Sequence, residues 1–225
     1  MLNTPSERSL EPEAVTRRPT AGWVVERIKD ALVTGRLRPG NHVSASGLAR
    51  ELGVSHIPVR EALKELHADG HLLLIPNRGF FVPELSRSDV FDIYRWRRVL
   101  EDEAQRQAIP LLSNSDLEQL TALCAVLRSA ARRSDIVVFH RVNHDFHFAV
   151  FGRTQSPRLI RMLEPLWRTA FHYQSILIRK GPSLQELQDQ HEALLDAYHR
   201  RDVERANAVM HQHRSTTLGL MEQIL

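Results

Sequence analysis

Residues 48–63, which read LARELGVSHIPVREAL, decide the fold of the N-terminal part of the chain. Three apolar residues at its start share one face of a short helix, and Gly53 allows the tight turn that follows. A second helix begins near His56, because Pro58 falls in its first turn, where a missing N–H costs little. Two helices joined by a glycine-containing turn predict a helix-turn-helix.

The flanking segments predict a winged version of this motif. From about Thr20, apolar residues recur at helical spacing and indicate a helix before the motif. After the motif, the apolar runs 72–75 and 80–82 surround a turn that contains Gly79, which is typical of a β-hairpin. Three helices followed by a hairpin match the plan of a winged helix-turn-helix.

The remainder of the chain is predicted to be helical. After about Ser86, apolar stripes at helical spacing mark about six helices, and their short connections favour an antiparallel bundle. The fold class is therefore mainly α, with an N-terminal winged helix-turn-helix and a C-terminal antiparallel bundle of about six helices. The expected segments are a flexible tail at 1–19, the winged domain at 20–84 and the helical domain at 85–225.

The predicted recognition helix and wing carry the candidate DNA contacts. In a helix-turn-helix, the N-terminal residues of the recognition helix meet base edges in the major groove. Arg60 lies one turn beyond His56 on the same face, where a guanidinium can grip guanine or a phosphate. Arg78 lies at the predicted wing turn, from which it can reach the DNA backbone or the minor groove. The candidate DNA-contacting residues are Ser46, Ser55, His56, Ile57, Arg60, Asn77 and Arg78.

These segments closely resemble the GntR family of bacterial regulators. The resemblance covers about residues 21–82, and it is carried by GRLRPG at 35–40, LARELGVS at 48–55, PVREAL at 58–63 and NRG at 77–79. It implies a transcriptional regulator that binds double-stranded operator DNA. Where the family usually has Ser-Arg-Thr-Pro, this chain has Ser-His-Ile-Pro from Ser55, a difference that bears on the operator sequence it prefers.

Polar residues interrupt the apolar stripes of the helical domain. His191 and His213 each lie within a stripe that repeats at three-four spacing, so both point inward. Asn143 falls within the buried face of an earlier helix, and His147 follows four residues later at the edge of that face. A single buried histidine is more often a hydrogen-bonded core residue, but three that converge with an amide are chemically suited to a metal ion.

The helical domain is similar to the FCD effector domain of the FadR subfamily. This looser resemblance spans about residues 86–225, and it is carried by RRVLE at 97–101, FH at 146–147, HEAL at 191–194 and a histidine late in the last helix. It implies a divalent metal ion, zinc in the first place and nickel or another ion as alternatives. The implied ligands are Asn143, His147, His191 and His213.

Two residues, Asn143 and Arg97, bear on what this implied site binds. Metal-binding relatives have an aspartate where this chain has Asn143, and a neutral amide oxygen is a weaker ligand than a carboxylate. Arg97 occupies the middle of its stripe, and a buried arginine needs an anion. That anion is either Glu101, in an internal ion pair, or a bound effector. Because effectors of the family are often small carboxylic acids, the resemblance implies a carboxylate that bridges the metal and Arg97.

Composition and charge argue against a membrane-spanning protein, a disulfide-stabilised protein and a purely electrostatic DNA binder. Hydrophobic residues make up 42% of the chain, yet no apolar run approaches the roughly 20 residues of a membrane span. The single cysteine, Cys124, excludes an internal disulfide, and together with the lack of an apolar secretory segment it predicts a cytoplasmic protein without membrane contact. The net charge of +3 permits DNA binding but argues against purely electrostatic coating of DNA.

Three functional interpretations follow from these features. The first is a ligand-responsive regulator, most often a repressor in this family, that acts as a homodimer with twofold symmetry on paired half-sites. The second is a metal-dependent hydrolase-like enzyme, since three histidines with an open position can activate water. The third is an architectural DNA binder whose helical domain only dimerises.

Overall fold

The computed structural model describes residues 20–84, 86–180 and 184–224, and within these ranges it describes the side chains except at 171–180 and 220–224. The predicted tail at 1–19 therefore lies outside the described residues. So does the side chain of His172.

Residues 20–84 form three helices and a small sheet. The helices are α1 (Ala21–Val33), α2 (Ala45–Leu52) and α3 (His56–Ala68), and the strands are β1 (His42–Val43), β2 (Leu73–Ile75) and β3 (Gly79–Phe81). The strands form an antiparallel sheet in the order β1-β3-β2. The predicted hairpin is thus β2 and β3, while β1, which pairs His42 with Phe81, was missed because two residues carry no periodic signal.

Local signals explain where these elements begin and end. The side chain of Ser44 caps α2 by accepting the N–H of Gly47 at 3.1 Å, as a serine at the N-cap position commonly does. Gly53 ends α2 with φ of 65°, a left-handed conformation that glycine adopts without a steric penalty. In the wing turn, Asn77 has φ of 60°, which asparagine tolerates better than most residues.

An apolar cluster holds the N-terminal part together. It joins buried residues of all three helices to the wing, with Ile28 on α1, Leu63 on α3 and Leu72 before β2 among its members. Because α3 packs through Val59 and Leu63, its opposite face, which includes Ile57 and Arg60, remains exposed.

The C-terminal part is a helical bundle. Its helices are α4 (Arg87–Ala108), α5 (Asn114–Arg132), α6 (Ile136–Phe151), α7 (Pro157–Lys180), α8 (Leu184–His199) and α9 (Val203–Ile224), with a short 3-10 turn at Ile109–Leu111. The predicted fold class, including about six helices in this part, is confirmed. None of the described helices combines the length and apolar character that a membrane span requires.

The apolar stripes predicted from the sequence form the core of the bundle. Phe139 and Phe146 of α6, Leu194 of α8 and Met210 of α9 are buried in one cluster. The two parts of the chain meet where α1 packs against α6 and α7. This contact brings the N-terminal part against the two helices that carry His147 and Trp167.

Candidate metal centre and DNA-binding surface

Three helices of the bundle bring three histidines together. His147 of α6, His191 of α8 and His213 of α9 each offer a ring nitrogen, and these atoms all lie within 4.8 Å of one another. All three side chains are buried. His147, which the sequence places at the edge of its stripe, is fully buried, because α7 covers that edge through Trp167, whose ring centroid lies 5.0 Å from that of His147.

The backbone fixes the orientation of His191. Its Nδ1 lies 2.8 Å from the carbonyl oxygen of Leu187, so Nδ1–H donates to that carbonyl and Nε2 is left as an acceptor. Nε2 faces Oδ1 of Asn143 at 2.8 Å. Two acceptors at this distance repel each other unless a cation lies between them. The alternative is an Asn143 amide rotated so that its NH₂ group donates to Nε2, which would make the pair an ordinary core contact.

Gln190 orients His213 in a similar way. Nδ1 of His213 lies 2.7 Å from Oε1 of Gln190, while the amide nitrogen of Gln190 donates to the hydroxyl of Thr216 at 3.2 Å. With the Gln190 amide oriented in this way, its Oε1 accepts from Nδ1–H of His213, and Nε2 remains available. Sequence reasoning missed Gln190, and the only signal for it was its position next to His191.

Of the three clustered histidines, His147 is the one whose ring has no hydrogen bond to a described residue. Neither Nδ1 nor Nε2 has a hydrogen-bond partner among the residues that the structure describes, and both atoms are buried. A buried polar atom without a partner costs about 1–3 kcal/mol. A ligand that accepts the lone pair of one nitrogen would offset this cost.

Burial keeps the three rings neutral. It lowers the pKa of His191 to about 4. It also lowers the pKa values of His147 and His213 well below the usual range, with a further contribution from the neighbouring histidines and Arg97. Neutral imidazole is the form that binds a metal ion. Three such rings and an amide oxygen fit zinc, nickel and similar divalent ions.

Arg97 lies next to this cluster and is only partly satisfied. Its side chain is 2% exposed, and its Nε donates to Oε1 of Glu101 at 2.8 Å. The guanidinium carbon lies 4.0 Å from the ring centroid of Trp167 and 4.9 Å from that of Tyr94. Its Nη1 is buried without a partner within the described ranges. The ion pair anticipated from the sequence is present, but no described residue accepts a hydrogen bond from the Nη1 amino group of Arg97.

A second buried arginine shares the carboxylate of Glu101. Nη1 of Arg214 lies 2.6 Å from Oε2 of Glu101, and its Nη2 lies 2.7 Å from Oδ1 of Asp102. Two carboxylates therefore balance the charges of two arginines. Arg214 follows His213 directly, so this network holds α9 against α4 beside the histidines. Sequence reasoning did not identify Arg214, because its partners lie more than 100 residues earlier in the chain.

The other histidines differ in their surroundings. His144 is partly exposed, stacks on Phe148 with centroids 4.2 Å apart and lies 3.6 Å from the carboxylate of Asp145. His140 is buried, and His211 is exposed. Of the histidines whose side chains the structure describes, only the three on α6, α8 and α9 form a cluster suited to a metal ion.

The candidate DNA contacts all lie on the surface. Ile57 is 69% exposed, and Ser55 begins α3 without using its hydroxyl as a cap. Arg78 lies over the ring of Phe81 with its guanidinium carbon 5.3 Å from the centroid, which holds it at the tip of the wing. The exposed set is Ser46, Ser55, His56, Ile57, Arg60, Asn77 and Arg78.

Two protein-family models match the chain. A model described as bacterial regulatory proteins, gntR family, matches residues 20–82, and the FCD domain model matches residues 92–216. The chain belongs to the GntR family. The matching FCD domain places it in the FadR-like branch, as the sequence predicted.

Named relatives of this GntR protein are transcriptional regulators. It is 34% identical over 177 residues to the HTH-type transcriptional regulator McbR of Escherichia coli (strain K12), a match that covers 79% of this chain and 74% of McbR. It is 25% identical to the HTH-type transcriptional repressor GlaR of the same organism, over 88% of this chain and 94% of GlaR.

Solved structures show the same fold. E. coli McbR/YncC superposes with a TM-score of 0.76 and 29% identity, over 90% of this chain and 97% of that one. A putative GntR regulator from Rhodococcus sp. RHA1 superposes with a TM-score of 0.72 at 20% identity, over 91% and 98% of the two chains. The GntR protein is thus a DNA-binding transcriptional regulator, and the hydrolase interpretation is set aside because its family and relatives are regulators rather than enzymes.

Proposed function

We propose that this GntR regulator is a homodimeric repressor whose affinity for operator DNA changes when a small carboxylate binds at a metal ion in the bundle. The observation that carries the proposal is the buried cluster of His147, His191 and His213, whose ligand atoms lie within 4.8 Å of one another. Both ring nitrogens of His147 and Nη1 of Arg97 lack partners among the described residues.

The metal ligands in this proposal are the three histidines and Asn143. Leu187 and Gln190 accept the Nδ1–H groups of His191 and His213, so both rings would present Nε2 to the ion. Such hydrogen bonds from the non-ligating nitrogen are the usual support of a histidine ligand. A divalent ion at this position supplies a Lewis acid that can bind a carboxylate oxygen.

Arg97 is the residue proposed to hold the effector. Glu101 and two aromatic rings, those of Trp167 and Tyr94, fix its guanidinium, which leaves Nη1 to donate to an added acceptor. An acid that binds both the ion and Arg97 would satisfy this donor without introducing an unpaired buried charge. This chemistry favours small organic acids over neutral or cationic ligands.

The DNA-binding part of the proposal rests on exposed residues of α3 and the wing. His56, Ile57 and Arg60 would meet base edges in the major groove, and Arg78 would contact the backbone or the minor groove. Dimerisation is supported by large apolar side chains that α4 exposes. These are Phe91, Trp96 and Val99. A twofold axis would direct two copies of α3 at two half-sites.

Metal analysis and calorimetry test this proposal together. Purified protein is loaded with Zn²⁺, assayed for bound metal and titrated with a panel of small mono- and dicarboxylic acids. The wild type should bind at least one acid, and Arg97→Lys, which can still pair with Glu101, should bind it at least about tenfold more weakly. Arg98, the exposed neighbour on α4, supplies the matched control Arg98→Lys, which should behave as wild type.

Mobility shifts complete the test. An acid that binds the wild type should change its affinity for an operator fragment selected from random duplexes. Equal acid binding by the Arg97→Lys and Arg98→Lys variants would contradict the role of Arg97. A DNA affinity that no acid and no chelator alters would instead support an architectural DNA binder.

A further inference from the structure

Two consecutive residues of α7 contact two different functional parts of the molecule. Trp167 is 4% exposed and lies against the candidate metal centre, with its ring centroid 5.0 Å from that of His147. The same ring lies 4.0 Å from the guanidinium carbon of Arg97. Any change in the positions of His147 or Arg97 must therefore be accommodated by Trp167, because close-packed side chains transmit displacement.

The next residue binds the end of the recognition helix. Nη1 of Arg168 lies 2.6 Å from Oδ1 of Asp69, and Asp69 is the C-cap of α3. The two side chains are 26% and 34% exposed, so solvent screens the ion pair only in part. Arg168 also lies 3.9 Å from the carboxylate of Glu164, one turn earlier on α7. Glu164 is thus a second acceptor to which Arg168 can turn when Asp69 moves away.

A cleft separates the two parts beside this ion pair. It has a volume of about 380 Å³, and its walls include Asp30 and Asp69 from the N-terminal part and Asn143, Trp167 and Arg168 from the bundle. The cleft thus borders the contact between Asp69 and Arg168 that joins the two parts.

The sequence of α7 weakens the helix at this point. Pro165 lies inside α7, two residues before Trp167. Proline removes one backbone hydrogen bond of the helix and disturbs the turn before it, which makes the helix easier to bend. The hydroxyl of Thr169 donates to the carbonyl of Pro165 at 3.1 Å, a contact that can adjust as this turn changes shape.

We propose that Trp167 and Arg168 transmit the state of the metal centre to the recognition helix. When His147 or Arg97 moves, Trp167 moves with it and α7 shifts. Arg168, which lies on α7, then displaces Asp69 at the end of α3 through their ion pair. This inference rests on the proposed function and names the contact through which the two sites of that function are coupled.

The test is a comparison of DNA affinity with and without Zn²⁺ in variants of this contact. Operator affinity is measured for the Zn²⁺-loaded and chelator-treated wild type, and the larger dissociation constant is divided by the smaller one. This ratio should be about fivefold or more, the lower end of typical coupling between sites. In Arg168→Gln and Asp69→Asn it should approach one, while Zn²⁺ affinity stays at the wild-type value.

Three further variants make the result specific. Arg161→Gln removes an exposed arginine of the same helix and should keep the wild-type ratio. The charge-swapped double variant, Asp69→Arg with Arg168→Asp, should recover at least about half of the coupling, which a merely structural defect would not do. Trp167→Phe leaves both charges in place and should reduce the ratio without removing DNA binding.

The outcomes separate this inference from the proposed function. A wild-type ratio retained in both Arg168→Gln and Asp69→Asn would overturn the inference alone. So would a wild-type ratio of one in a protein that binds both Zn²⁺ and DNA. Wild-type protein that binds no divalent metal ion would overturn the metal centre itself, and the inference with it.

Discussion

Oδ1 of Asn143 lies 2.8 Å from Nε2 of His191. Nδ1 of the same ring donates to the carbonyl of Leu187 at 2.8 Å, so Nε2 of His191 is an acceptor. Either Oδ1 of Asn143 and Nε2 are two ligand atoms of a metal ion, or the Asn143 amide is rotated and its NH₂ group donates to Nε2 in an ordinary core contact. The two alternatives predict different effects of a carboxylate at position 143.

Asn143→Asp should strengthen zinc binding. A carboxylate adds a full negative charge to a site of three neutral imidazoles, so we expect the affinity for Zn²⁺ to rise by about tenfold or more. Competition with a chromophoric chelator measures the change, and Asn114→Asp, at an exposed position of α5, is the control for added charge. Weaker or unchanged zinc binding would identify the Asn143 amide as a hydrogen-bonding core group instead.

His147→Leu should remove metal binding and stabilise the metal-free protein. Leucine fills a similar volume without the two buried nitrogens, for which the described residues supply no partner, so the free energy of unfolding without metal should rise by about 1 kcal/mol. The rise in melting temperature that Zn²⁺ produces in the wild type should disappear, because that rise reflects binding to the folded state. Calorimetry with and without a chelator measures both effects.

His211→Leu is the matched control for this substitution. His211 lies on α9 but is exposed, so its replacement should leave metal content and melting temperature close to wild type. A His147→Leu protein that still gains stability with Zn²⁺ would show that His147 is not a ligand.

Gln190→Ala should weaken metal binding although Gln190 is not itself a proposed ligand. Without Oε1 as acceptor for its Nδ1–H, the ring of His213 loses its fixed orientation, and such losses typically cost about 10–100-fold in metal affinity. Gln190→Glu keeps an acceptor and should retain most of the affinity. Gln212→Ala, at an exposed position of α9, should have no effect. Equal zinc affinities for Gln190→Ala and Gln212→Ala would exclude the positioning role.

Arg60→Ala and Arg78→Ala should reduce operator affinity in different ways. If Arg60 grips a guanine, its loss should cost about 1–3 kcal/mol and relax the sequence preference at one position. If Arg78 neutralises a phosphate, its loss should weaken binding to all sequences and lower the salt slope by about one. Arg200→Ala, exposed on the bundle, is the control. Wild-type affinity in both variants would contradict this surface.

The face on which each histidine lies was predictable from local spacing. His191 and His213 each lie in a stripe of apolar residues that recur every three or four positions. A helix with such a stripe turns it toward the core. The cap at Ser44 and the turn at Gly53 are equally local. The fold class, the family and DNA binding by a regulator were therefore predicted correctly, whereas the metal and effector roles of the buried residues remain predictions.

Other features depend on how distant segments pack. Strand β1 consists of two residues and exists because β3 pairs with it, so it has no signal of its own. Gln190 and Arg214 become important only once α8 and α9 lie against their partners. A residue whose role comes from a non-local contact cannot be recognised by its neighbours in sequence.

The sequence by itself determined which residues face the core, because the helical period and the capping residues act within a few positions of the chain. Only the tertiary structure decided which inward residues meet. Asp69 and Arg168 are 99 residues apart, and their contact depends on how α1, against which α3 packs, docks on α7. That docking results from side-chain packing between two distant parts of the chain. The spacing of residues within one helix does not reveal which distant helix it packs against.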